Sequence, residues 1–100
     1  MAKIFKKMNS KIDILKKRAV AIGIGDVVDF YFKRVNAELE NMPESKRALY
    51  LKESCDSLDE DLTSFEVCCR SLGQDRIPNP DGLKIETPEE IRSQVEVIVD

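Results

Sequence analysis

Eight apolar residues in the middle of this chain, Ala48, Leu51, Cys55, Leu58, Leu62, Phe65, Cys69 and Leu72, recur at alternating steps of three and four. That spacing keeps all eight on one side of an α-helix. Over more than three heptads the stripe runs roughly 40 Å at about 1.5 Å per residue. A stripe so narrow and regular is of the kind helices bury against one another, so the segment requires a helical partner.

Two more stripes supply candidates. Met1, Phe5, Met8, Ile12, Leu15, Ala19 and Ile22 repeat the same spacing, and predict a first helix over about residues 3–22. Gly23-Ile24-Gly25 then has the low helix propensity and permissive backbone of a helix end. Its likeness to a dinucleotide-binding loop fails, because Val28 stands at the third glycine position and the residues before it continue a helical stripe. Val28, Phe32, Val35, Leu39 and Met42 form the third stripe, over about residues 26–41, with Asp26 read as its N-cap and Asp29 in its first turn. Val27, Phe30 and Tyr31 widen the apolar girth of this short helix. Asn41-Met42-Pro43-Glu44 reads as a stop and restart, with Asn41 as N-cap, Pro43 in the first turn and Glu44 at the capping-box position. So short a connection predicts an antiparallel hairpin between the second helix and a third spanning 43–72, closed by Gly73.

After Gly73 the texture changes. Gln74 to Gly82 carries two prolines and an Asp-Gly, signals against regular structure. Leu83-Lys84-Ile85-Glu86 alternates like a short strand, and Thr87-Pro88-Glu89-Glu90 is a capping box with proline at the first helical position. Beyond Ser93, helical and strand periodicities compete, and a short helix is the expectation. The predicted organisation is all-α: residues 1–73 as an antiparallel hairpin or three-helix bundle with coiled-coil-like packing, and residues 74–100 as an irregular arm.

The chain has no histidine, which removes the commonest general base and a frequent metal ligand. Cys55, Cys68 and Cys69 contain no CxxC and lack a fourth Cys or His to close a zinc site, so no metal or other cofactor is expected. Cys55 and Cys69 fall on the stripe as small apolar groups, whereas Cys68 lies beside it. The run Asp59-Glu60-Asp61 flanks Leu58 and Leu62, as a solvated helix face does. Catalysis is not expected. Unpaired, unevenly spaced cysteines fit a reducing compartment; no secretion signal and no membrane span are read, and the expected location is the cytoplasm.

Charge is unevenly divided. Residues 1–18 hold seven Lys and Arg against Asp13 alone, on a chain of formal net charge −3. Lys6, Lys7, Lys11, Lys16, Lys17 and Arg18, with Lys3, are candidate phosphate contacts if the first helix meets nucleic acid, and a membrane-surface role is a further option. The expectation is internal: Asp59, Asp61 and Glu66 flank the long stripe and can face the basic helix across a helix–helix contact.

The functional expectation is a non-catalytic helical protein–protein interaction module, of the small adaptor, chaperone or inhibitor type, that also self-associates as a homodimer. Phe30, Tyr31, Leu58, Leu62, Phe65 and Leu72 are its candidate interface residues. The alternative is a nucleic-acid-binding protein using the basic first helix.

Overall fold

In the computed structural model, which describes the backbone of residues 2–99 and the side chains of residues 9–94, the chain forms four helices. They are α1 (Ala2–Ala21), α2 (Gly25–Glu40), α3 (Glu44–Ser71) and α4 (Pro88–Val99), with a 3-10 turn at Pro80–Gly82. No strand occurs among the described residues. The alternating Leu83 to Glu86 segment is extended without a strand partner; it buries Ile85 and leaves Lys84 in solvent.

The break after α1 is made by Gly23, whose φ of +83° a side chain would resist. Its N–H bonds the Val20 carbonyl at 3.0 Å and the Ile24 N–H bonds Ala19 at 2.9 Å, the paired bonds of a Schellman end. Ile24 is then buried, so the turn is fixed by packing as well as by hydrogen bonds. Gly73 repeats the device at φ +66°, with the Gln74 N–H on the Cys69 carbonyl at 2.8 Å. Two cap assignments are corrected. Ile24, not Asp26, precedes α2 as its N-cap, because the helix already begins at Gly25. Asn41 closes α2 instead of opening α3, its N–H bonding back to Glu38 at 3.1 Å, and Pro43 is the N-cap of α3.

Side-chain pairs give the directions of the rods. Lys16 and Phe32, about equally far from the Gly23 turn, meet with 5.7 Å from Nζ to ring centroid, so α1 and α2 run antiparallel. Tyr31 and Ser54 flank the Asn41–Pro43 turn in the same way, its hydroxyl donating to the Ser54 carbonyl at 2.8 Å, so α2 and α3 are antiparallel too. Lys11 pairs with Asp56, and further along Arg18 pairs with Asp59 and Glu66, which makes α1 and α3 parallel neighbours.

Leu15, Ala19, Ile22, Ile24, Val28, Tyr31, Phe32, Val35, Cys55, Leu58, Leu62 and Cys69 form one buried cluster among these three helices, and Ile85 of the arm joins it. The long stripe is buried only through its middle: Ala48 and Leu72 at its ends are exposed, and Leu51 and Phe65 are half-buried. Length explains the difference, since the 28 residues of α3 span about 42 Å and the 20 of α1 about 30 Å. The molecule measures 44 × 41 × 19 Å, about two helices thick.

Candidate functional site

Two surfaces hold the sequence-derived candidates. On the α1 side, Arg18 is fully engaged with α3. It donates through Nε and Nη2 to both Glu66 oxygens at 3.2 and 2.7 Å, through Nη1 to Asp59, and through Nη2 to the Thr63 hydroxyl at 3.2 Å. The two-pronged bond to Arg18 holds the Glu66 carboxyl below its usual pKa, against the opposing effect of burial. Lys11 donates to Asp56 at 2.9 Å and likewise depresses that carboxyl. Lys16 lies 4.0 Å from Asp29, and Lys17 is exposed. The side chains of Lys6 and Lys7 lie outside the described residues. Asp61 departs from expectation: none of the ion pairs among the described residues includes it, and burial, with Glu60 adding to it, raises its pKa.

The second surface lies between α2 and the returning C-terminal arm. The Ile77 N–H bonds the Ile22 carbonyl at 2.9 Å and pins the start of the arm against the α1–α2 turn. From there the chain passes along α2, leaving a groove of about 480 Å³ lined by Ile24, Val27, Phe30 and Arg34 on one side and by Pro80 to Ile85 on the other. Phe30 and Arg34 are one helical turn apart, which stacks the guanidinium 5.0 Å from the Phe30 ring centroid and 5.9 Å from that of Tyr31. Arg34 also donates to the Glu90 carboxylate and to the Ile85 carbonyl, so one side chain on α2 grips the arm at two points. Burial opposes ionisation of Glu90, but Arg34 and Lys84, the latter at 3.4 Å, outweigh it and leave its pKa lowered.

Beyond the groove the arm turns into α4. Thr87 is fully buried, and its hydroxyl accepts from the Glu90 N–H at 3.3 Å, the N-cap predicted from Thr87-Pro88-Glu89-Glu90. Arg92 reaches across to Glu53 of α3. Tyr50 is buried beside Thr87 and the backbone of Glu89; burial pushes its phenol pKa up and those neighbours offset part of the rise, yet its hydroxyl completes no hydrogen bond of good geometry. Arg34 Nε is likewise buried without a partner.

The candidate interface residues separate sharply. Tyr31, Leu58 and Leu62 are 0 % exposed and belong to the chain's own core, so they present no surface to a partner in this fold. Phe65 is half-buried against that core. Phe30 and Leu72 remain outside, 57 % and 62 % exposed, and only Phe30 lines the groove. Cys55 and Cys69 are buried and Cys68 is exposed; desolvation raises the Cys55 thiol pKa. Among the described residues no three His, Cys, Asp or Glu side chains are grouped as metal ligands.

The groove has aliphatic and aromatic walls, with carboxylates at Asp26 and Asp81 and cations at Arg34 and Lys84. Sequence periodicity does not single out Arg34, because its partners lie 51 and 56 residues away and carry no local signal. Ile85 and Thr87 were legible as an alternating residue and a cap, but not as the arm's anchors. No described helix is long and apolar enough to cross a membrane. No family model, curated protein or solved structure matches this chain.

Proposed function

We propose that the chain is a non-catalytic helical interaction module that binds another protein through the groove between α2 and the C-terminal arm. The observation carrying this reading is Phe30, more than half exposed on the wall of a groove whose other walls are aliphatic and whose polar groups are two carboxylates and two cations. An exposed aromatic beside an arginine, rimmed by charge, has the composition of an interface anchor. A partner offering an apolar side chain and a flanking carboxylate complements it. Self-association as a homodimer in the cytoplasm, and narrow coiled-coil-type packing of the helix stripes, belong to the same proposal.

The nucleic-acid alternative keeps Lys16 and Lys17, but Lys11 and Arg18 are held by acids of α3, which lowers the charge α1 can offer to phosphate. Parallel retention on immobilised wild-type protein and on Phe30→Asp tests the leading reading in the native lysate. A protein held by the first and released from the second supports it; equal retention on both overturns it. Duplex or RNA binding that weakens by orders of magnitude from about 50 to about 200 mM salt, and is lost in Lys16→Glu/Lys17→Glu, establishes the alternative instead.

A further inference from the structure

The arm and the three-helix core are held by different kinds of contact. Between α1, α2 and α3 the buried groups are almost all apolar. In the arm from Leu83 onward Ile85 and Thr87 are buried among the described residues and Leu83 packs partly buried against the core, and the other attachments among the described residues are ionic or polar: Arg34 to Glu90 and to the Ile85 carbonyl, Lys84 to Glu90, and Arg92 to Glu53. Beneath it, Arg34 Nε is left without a partner. An unpartnered buried group makes closure less favourable and rehydration on opening more so. The segment leading into the arm also stores strain, since Asn79 adopts φ +54° between Pro78 and Pro80, a conformation disfavoured before proline. A segment whose described side chains give two aliphatic contacts, Leu83 and Ile85, and ion pairs open in part to solvent, with a strained lead-in, belongs to the low-stability end of a fold.

We propose that the C-terminal arm is an intramolecular strap that opens as a unit while α1 to α3 stay folded, and that its seat on the α2–α3 hairpin then receives a partner segment of the same chemistry. That chemistry is read from the present occupant: an aliphatic residue in the place of Ile85, then a capped helix start with a carboxylate in the place of Glu90 to meet Arg34. Charge complementarity with Arg34 and the aromatic floor at Tyr50 select such a segment over a purely basic one. The strap competes with the partner because both need the same guanidinium, and tethering gives it a local concentration that a free segment must exceed. This identification of the partner rests on the interaction-module reading; the opening itself does not.

Hydrogen exchange on the full chain tests the opening without any partner. The Glu90 and Ile91 amides, bonded to the Thr87 hydroxyl and carbonyl, are expected to exchange at least about 100-fold faster than the amides of Leu58 and Leu62. Glu90→Lys, at a partly exposed site, is expected to speed the arm amides about tenfold further and leave those of α3 unchanged. Equal rates in arm and core, within about threefold, overturn the strap. The seat is tested with a synthetic peptide copying residues 80–94, added to the full-length Glu90→Lys protein whose own strap is weakened. Saturable binding of that peptide, lost when the peptide carries Ile85→Asp, supports the shared seat. No binding at about 1 mM peptide, or binding indifferent to Ile85→Asp, overturns it, whereas failure of Phe30→Asp to release a partner counts against the interaction reading alone.

Discussion

At the scale of single residues, two carboxylates on α3 are expected to give opposite pH signatures. The Glu66 pKa is lowered in the fold by Arg18, so its contribution is complete above the ordinary carboxylate range and is lost as pH falls through the folded value. Glu66→Gln is therefore expected to be about 1 kcal/mol less stable than wild type at pH 7, with the gap closing near pH 3. The Asp61 pKa is raised by burial, so its ionised form weakens the fold at neutral pH and the penalty fades as pH falls. Asp61→Asn is expected to be more stable than wild type at pH 7 and equal to it in acid. Urea midpoints measured from pH 3 to pH 7 check both, and a shared sign for the two variants contradicts the assignment. Both residues flank the same stripe, and in sequence both were read as faces for the basic helix. What separates them is which side of α3 each occupies once α1 has chosen its line of contact, and heptad spacing alone does not say on which flank α1 will lie.

At the scale of elements, the long stripe illustrates what periodicity can and cannot reveal. Spacing identified the face of α3 correctly from Leu51 to Cys69, because any helix at that phase must cover the same residues. It did not say where coverage stops, since that depends on the lengths of α1 and α2 and on the arm. Leu62→Ala removes side-chain atoms from a fully buried site and is expected to cost about 2–5 kcal/mol, whereas Leu72→Ala, at an exposed end of the same stripe, is expected to stay within about 0.5 kcal/mol. Thermal melts of the two variants decide it. The helix ends were legible for a different reason. Glycine after a periodic run answers a local backbone need, and both Gly23 and Gly73 take positive φ as expected. Gly73→Ala meets no neighbouring atom, so its expected cost of about 1 kcal/mol is conformational alone and is readable as a fall in the melting temperature of several degrees. The Asn41 cap was misassigned because a three-residue turn offers its polar residue to two adjacent helix ends, and Asp26 because α2 begins one residue earlier, at Gly25; single-residue preferences decide neither case.

At the scale of the whole molecule, the radius of gyration of 14.7 Å exceeds the roughly 13 Å typical of a hundred-residue domain, as a slab 19 Å thick requires. A slab has a large surface for its core, and the chain exposes Ile14, Val20, Phe30, Leu49, Val67, Leu72 and Ile91. Six of these are not part of the groove, and isolated exposed aliphatics are ordinary on any protein. Phe30 differs because it lines the groove together with Val27 and Ile24, with Leu83 facing them across it. We place the proposed self-association at this edge, where a two-fold contact sets one Phe30 against its copy or into the copy's groove. A stable dimer buries about 800 Å² per partner, more than one aromatic supplies, so the contact extends along α2. At about 50 µM, sedimentation velocity is expected to give a dimer for wild type and a monomer for Phe30→Asp, with Leu72→Asp still dimeric. Small-angle scattering on the same samples is expected to return a radius near 14.7 Å for Phe30→Asp and a clearly larger one for wild type. A wild-type monomer at that concentration removes the homodimer and leaves the groove to a different protein. Leu62→Asp cannot serve as the interface probe, because placing a charge at a fully buried position unfolds the core before any subunit contact is tested.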